Sequence, residues 1–279
     1  MGSMRHPSLH VPRGGRMPWH VRPGPAPAST CCTVALAGNP NTGKSTVFNA
    51  LTGLGQHTGN WPGKTVVVAE GTYTHCGMTY RVIDLPGTYS LLAASPEEEV
   101  ARDFICFGGG NATVVVTDAT CLERNLNLVL QIMEITPRVV VCLNLMDEAR
   151  RKGISVDVDR LSSELGVPVV PTVARTGHGL PALMDTIASV ASGRLATRPL
   201  RVTYSPEVEA LVADIEPRLS AVMAEVAPGI SPRWVALRLI DGDPGLIEAI
   251  SERVNRQWSQ DTRPRSAARS VAARSGIPA

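Results

Sequence analysis

Between residues 33 and 193, short apolar runs alternate with stretches in which apolar positions recur every three or four residues. Thr33-Val34-Ala35-Leu36-Ala37 is the first run, and 65–73, 79–84, 113–118, 138–143 and 168–172 repeat its character. Short apolar runs rich in β-branched residues predict strands buried in a sheet. Helical spacing predicts helices over 44–53, 96–107, 122–135, 157–165 and 180–192. Strands alternating with helices predict an α/β fold, a mostly parallel sheet with helices on both faces. One junction departs from this rule. Runs 65–73 and 79–84 are joined only by a short turn around His75-Cys76-Gly77, which predicts an antiparallel hairpin at the sheet edge.

The pattern changes after residue 193. Arg194, Arg198, Pro199 and Arg201 mark a linker over 194–205, followed by helical patterns at 206–227, 232–240 and 244–258. Pro206, Pro232 and Pro244 stand near the starts of these helices, where a missing N–H costs nothing. Pro217 is expected to kink or split the first. The expected division is a tail over 1–30, an α/β domain over 31–195, a small all-α domain over 202–259 and a tail over 260–279. Both tails lack apolar periodicity and are expected to be disordered. The first is Arg-bearing and acid-free, as targeting peptides are, but its prolines oppose the amphipathic helix such peptides use.

Composition narrows the class. Hydrophobic residues make up 43% of the 279 and aromatics only 4%, so the core must be built from Val, Leu, Ile and Ala. The net charge of +2 is uneven: residues 1–69 hold six Lys or Arg and no acid, whereas the remainder holds 21 basic and 25 acidic residues. A positive amino-terminal part suits a polyphosphate ligand; binding to DNA would need more clustered basic charge. Cys31, Cys32, Cys76, Cys106, Cys121 and Cys142 show no C-x-x-C spacing and no histidine pairing of zinc-site type, which predicts free thiols in a reducing, cytoplasmic compartment. No apolar run reaches 18 residues, so no membrane span is expected.

The candidate chemistry lies at the ends of the predicted strands. Gly38-Asn39-Pro40-Asn41-Thr42-Gly43-Lys44-Ser45-Thr46 fits the phosphate-binding loop G-x-x-x-x-G-K-[ST] and sits between a predicted strand and a predicted helix. Its glycines let backbone N–H groups close around phosphates. Lys44 can then reach the β and γ phosphates, with the Ser45 hydroxyl placed for Mg²⁺. Asp84-Leu85-Pro86-Gly87 follows strand 79–84: the carboxylate can hold Mg²⁺ through water, and Gly87 offers an N–H to a γ-phosphate. Asn144-Leu145-Met146-Asp147 ends strand 138–143. The Asp147 carboxylate can accept two hydrogen bonds from the N1 and 2-amino edge of guanine, a pair that adenine lacks. Asn144 is expected to tie this loop to the phosphate loop. In Thr172-Val173-Ala174-Arg175, after the last strand, the backbone of Val173 and Ala174 can meet the guanine oxygen.

Taken in order, these motifs resemble a Ras-like P-loop GTPase, with three departures. Leu145 stands where many have Lys, Val173 where Ser is usual, and Thr88 follows Gly87 where Ras-like enzymes carry the glutamine that orients water. Finer wording resembles the bacterial ferrous iron transport protein B family: Gly38-Asn39-Pro40-Asn41, Gly59-Asn60-Trp61-Pro62-Gly63, Asp84 to Leu91 and Asp118 to Leu126. Arg233 to Asp243 resembles that family's helical domain, a guanine-nucleotide-dissociation-inhibitor-like module. The resemblance implies GTP and GDP as ligands, Lys44 and Ser45 on phosphate and Mg²⁺, and Thr65 as the switch threonine closing on Mg²⁺ and γ-phosphate beside Gly63. It further implies Asp84 and Gly87 in the second switch, Asn144 and Asp147 selecting guanine, and Asn41 holding K⁺, with slow, K⁺-stimulated hydrolysis that relies on Lys44, Asn41, Thr65 and Gly87. Lys64 departs from the family's usual apolar residue; a lysine there can compete for the phosphates or take over part of the potassium's role. The family's membrane domain has no counterpart here. That leaves an excised cytoplasmic portion, a truncated product, or a free-standing protein that docks on a membrane iron permease at the inner face of the membrane, as part of an oligomeric transporter. Two other readings of the motifs stay open, a ribosome- or RNA-associated assembly GTPase and a non-hydrolysing nucleotide-binding module.

Overall fold

β1 (Cys31–Gly38) is the central strand of a seven-stranded sheet in the computed structural model, which describes residues 31–53, 56–60, 65–92, 95–226, 229–242, 248 and 250. The segments 1–30 and 260–279, Gly63 and Lys64, and nearly all of the helix expected over 244–258 lie outside the described residues. β1 pairs in parallel with β4 (Met78–Asp84) on one side and β5 (Ala112–Asp118) on the other. β6 (Val139–Asn144) and β7 (Val169–Pro171) continue the parallel half. β3 (Val67–His75) runs antiparallel to both β4 and the edge strand β2 (Gln56–Asn60), giving the order β2-β3-β4-β1-β5-β6-β7.

Alternation along β1 shows why these runs are apolar on both faces. Val34 and Leu36 join Val47 and Phe48 of α1 (Lys44–Thr52) and Leu183 and Ile187 of α6 (Leu180–Ala191). Ala35 and Ala37 face the opposite layer, with Phe104 of α2 (Pro96–Phe107), Leu128 and Ile132 of α3 (Leu122–Ile135) and Leu165 of α5 (Val158–Leu165). Each fully buried Leu, Ile or Phe in these layers contributes about 1.5–3 kcal/mol. Local signals set the helix ends. Ser95 caps α2, its hydroxyl accepting from the Glu98 N–H at 3.2 Å ahead of Pro96 and three glutamates. Asp157 caps α5 by accepting from Arg160 N–H at 3.0 Å.

The β3–β4 hairpin is present as expected and closes through Cys76 (φ 50) and Gly77 (φ 75). Positive φ at both central residues is the signature of a type I′ turn. Three features depart from the sequence expectation. β2 is built from the polar run Gln56-His57-Thr58-Gly59-Asn60, which has no strand pattern and extends by pairing on the open edge of β3. α4 (Met146–Arg151) is a six-residue helix where the Asn144–Asp147 motif predicts a loop. α7 (Pro206–Val226) runs unbroken through Pro217, so the expected split does not occur.

α7 packs against α8 (Pro232–Asp241) through Val212, Ala236 and Leu237. Met223, Ile230, Trp234 and Val235 also join the layer that covers α3. Ser231 N–H donates to the Ile135 carbonyl at 2.7 Å, and Tyr204 donates its hydroxyl proton to Glu134 at 2.6 Å. The linker before α7 is pinned by Arg198 N–H to Gly166 O and Leu200 N–H to Leu165 O, at 2.9 and 2.8 Å. Among the described residues, no helix is long and apolar enough to cross a membrane.

Candidate functional site

The carboxyl ends of β1, β4 and β6 converge, and most of the predicted site residues sit there. At the end of β1 the chain bends around backbone too crowded for side chains. A Cβ on Gly38 would lie 2.6 Å from the Val116 carbonyl oxygen, and one on Gly43 2.4 Å from Asn144 Nδ2. Gly43 (φ 79) and Asn41 (φ 67) both adopt left-handed backbone, and α1 starts directly after at Lys44. No side chain caps α1, so its first N–H groups face the loop, together with the exposed Ser45 and Thr46. The loop is braced from within by Thr42 Oγ1 donating to Asn39 O at 3.0 Å. Asn39 is buried, and its Nδ2 is a donor without a protein partner. An unpaired buried donor beside free helix N–H groups suits an anion, because each missing hydrogen bond is costly.

Lys44 Nζ forms an ion pair with Asp84 at the end of β4, both side chains nearly buried. Burial pushes the Asp84 carboxyl above its usual range, and the lysine charge and hydrogen bond oppose that shift. Gly87 lies against the phosphate loop: a Cβ there would be 3.4 Å from Pro40 N, and Thr88 N–H donates to Gly38 O at 3.3 Å. The following residues are held by α3. Leu91 N–H donates to Gln131 Oε1 at 2.8 Å, and the Arg124 guanidinium stacks 4.4 Å from the Tyr89 ring centre. Thr65 is exposed just ahead of β3, and among the described residues no side-chain hydrogen bond joins it to the phosphate loop.

The second half of the site is organised by Asn144, buried at the end of β6. Its Nδ2 donates to Thr42 O at 3.0 Å, while its Oδ1 accepts from Ala174 N–H at 3.1 Å and Thr172 Oγ1 at 3.2 Å. One side chain thus links the phosphate loop to the segment after β7. Leu145 (φ 61) turns the chain into α4 and places Asp147 in its first turn. A cavity of about 190 Å³ is lined by Gly43, Thr46, Asn144, Asp147, Val173 and Ala174. Arg175 Nη2 reaches Asp147 Oδ2 at 3.1 Å. Desolvation, the largest single influence on Asp147, is outweighed by the Arg175 and backbone hydrogen bonds together, which hold its carboxyl below the usual range.

Gly38, Asn39, Asn41, Thr42, Gly43, Lys44, Ser45, Thr46, Asp84, Gly87, Asn144, Asp147, Val173 and Ala174 therefore share one end of the sheet. Sequence reasoning missed Arg175 as the partner of Asp147, and Arg124 and Gln131 as anchors of the segment after Gly87. It also found no histidine–cysteine grouping, whereas the fold gathers His75, Cys76 and Asp185 at the other end of the sheet.

Comparison with known proteins extends this geometry. A family model described as ferrous iron transport protein B matches residues 32–187. A second, described as the FeoB cytosolic helical domain, matches residues 204–274. The Fe(2+) transport protein A/Fe(2+) transporter FeoB fusion protein of Porphyromonas gingivalis is 42% identical over 226 residues, covering 79% of this chain and 26% of that protein. The cytosolic domain of T. maritima FeoB in its GMPPNP form is 37% identical, covers 80% of this chain and 86% of its own, and superposes with a TM-score of 0.70. The cytosolic domain of L. pneumophila FeoB is 34% identical over 80% of this chain and 88% of its own, also with a TM-score of 0.70. The chain spans about a quarter of the length of the curated relatives it matches.

Proposed function

The chain belongs to the ferrous iron transport protein B family, and from that premise we propose that it binds and slowly hydrolyses GTP as the switch of a ferrous iron transporter. The observation that carries this reading is the Asn144 bridge, which sets the phosphate loop and the Asp147 cavity at one fixed separation. The structures of the T. maritima relative in GDP and GMPPNP forms support guanine nucleotides as the ligand.

In this proposal Asp147 accepts the two N–H groups on the guanine edge, Arg175 swinging aside, and the backbone of Val173 and Ala174 meets the guanine oxygen. The helix N-terminus at Gly43 to Thr46 receives the phosphates. Lys44 exchanges Asp84 for phosphate oxygens, and Asp84, Ser45 and Thr65 become the holders of Mg²⁺. The donor set fits that hard cation, which when bound neutralises charge on the β- and γ-phosphates. Asn41, exposed on the loop, is the residue proposed for K⁺. Slow turnover follows from Thr88: it is buried and its backbone is engaged with Gly38, so no side chain at that position reaches out to orient water. Transport of Fe²⁺ enters this proposal through the relatives' names, and a membrane permease partner at the inner face of the membrane is our extension of it.

The test is GTP turnover by the purified chain in KCl and in NaCl, with Asn41→Ala alongside. Faster turnover in KCl that the variant loses is the expected result. No turnover in either salt would leave a nucleotide-binding module, the reading that the buried Thr88 also favours.

A further inference from the structure

At the end of the sheet opposite the phosphate loop, the β3–β4 hairpin turn meets α6, and three ligating side chains come together there. His75 ends β3, Cys76 is the first central residue of the turn, and Asp185 lies on α6, 110 residues from His75. One ligand atom from each falls within 4.8 Å of the others. His75 Nε2 and Asp185 Oδ1 are 2.7 Å apart, and the His75 side chain is four-fifths buried while Asp185 is open to solvent. Nothing in the nucleotide chemistry uses them.

We propose that His75, Cys76 and Asp185 form a binding site for a divalent first-row transition-metal ion. The donor set is an imidazole nitrogen, a thiolate sulfur and a carboxylate oxygen. That mixture selects zinc-like, borderline-soft ions over Mg²⁺ and Ca²⁺, which prefer all-oxygen shells. Bonds of about 2.0–2.3 Å at a tetrahedral centre place ligand atoms roughly 3.3–3.8 Å apart, inside the span of this cluster. The exposed Asp185 need only rotate away from the imidazole for an ion to enter between them. The type I′ turn holds Cys76 in left-handed backbone, and the thiol is exposed. Three protein ligands leave a fourth position for water or an incoming donor. The bound ion would tie the hairpin to α6 across the face of the sheet, apart from the Mg²⁺ position beside Ser45 and Asp84.

The test is anaerobic titration of the whole chain with Co²⁺ in excess Mg²⁺, which competes at all-oxygen positions but not at a thiolate site. We expect a sulfur-to-cobalt charge-transfer band that saturates at one equivalent and is displaced by Zn²⁺. Cys76→Ser should abolish the band. His75→Ala and Asp185→Asn should each weaken binding by at least about tenfold, the loss that even outer-shell changes cause. Cys31→Ser and Cys121→Ser, which alter the other exposed thiols, should leave it intact. Zn²⁺ should also raise the thermal midpoint of the native chain but not that of Cys76→Ser, whose circular dichroism spectrum checks its fold. Absence of the band, its survival in Cys76→Ser, or unchanged affinity in Asp185→Asn would overturn the site and leave a surface ion pair only.

Discussion

Asn144 and Asp147 sit three residues apart yet should fail in different ways when replaced. Asn144 is buried and its side chain makes three hydrogen bonds, so Asn144→Ala strands Thr42 O and Ala174 N–H inside the protein. Each buried group left unpaired costs about 1–3 kcal/mol. A drop of roughly 4–24 °C in the thermal midpoint of the ligand-free chain should follow, together with weaker nucleotide binding. Asp147 is half-exposed, and its carboxylate bonds only Arg175 and the adjoining backbone of its own helix turn. Asp147→Asn should leave the midpoint within about 2 °C, since surface changes fall near ±0.5 kcal/mol. It should lower GDP affinity by about 10- to 100-fold and raise affinity for a xanthine nucleotide, whose edge presents an acceptor to the new amide. Calorimetric titration with both nucleotides checks this; unchanged GDP affinity would remove Asp147 from the base site. The motif residues are legible because a phosphate loop demands glycine, lysine and hydroxyl at fixed spacing. Arg175 is not, because what joins it to Asp147 is the short turn after β7, which no local pattern encodes.

Elements whose burial is set by their own residues are the legible ones. β1, β5 and β6 read directly from their apolar runs, valine-rich in β5 and β6, and the hairpin from a turn too short for a crossover. β2 exists because β3 leaves an open edge, and α4 because Leu145 turns the chain there, both tertiary effects that override composition. The His75–Asp185 meeting is equally hidden, since it depends on how α6 lies across the sheet. The same kind of contact governs the segment after Gly87. Its hold on α3 is the Gln131 side chain, which accepts from Leu91 N–H and from Ser90 Oγ, the Tyr89–Arg124 stack, and the burial of Leu91 in the layer that includes α3; of these, the Leu91 amide depends directly on its own bond to Gln131. Removing a single neutral hydrogen bond costs about 1 kcal/mol. Gln131→Ala should therefore raise amide exchange at Leu91 about fivefold while leaving β1 and β5 unchanged. Equal exchange in variant and native chain would show that α3 does not restrain this segment.

The whole molecule joins its two halves through α3, which touches the segment after Gly87 on one side and the α7–α8 pair on the other. The second junction centres on Arg233, whose guanidinium donates to both Glu209 oxygens at 2.7 and 2.6 Å and to Val202 O at 3.0 Å. The Arg233 hydrogen bonds, with a further one from Tyr204 N–H, draw the Glu209 carboxyl from 4.5 down to about 2. A carboxylate whose pKa is depressed on folding stabilises the native state above its unfolded value and loses that contribution as pH falls through the folded one. The contribution of Glu209 is thus complete above about pH 4.5 and gone near pH 2. Glu209→Gln should unfold at a lower temperature than the native chain at neutral pH, and the two midpoints should converge as pH falls through that window. Parallel curves would mean that the pair does not hold the helices in place. Tyr204, which bonds Glu209 through its N–H, also donates its hydroxyl to Glu134 on α3. Loosening this corner should therefore be felt at Leu91 as well, so Glu209→Gln should speed amide exchange there above pH 4.5. That transfer is what a switch needs if a change at Gly87 is to reach the helical segment by way of α3 rather than through solvent.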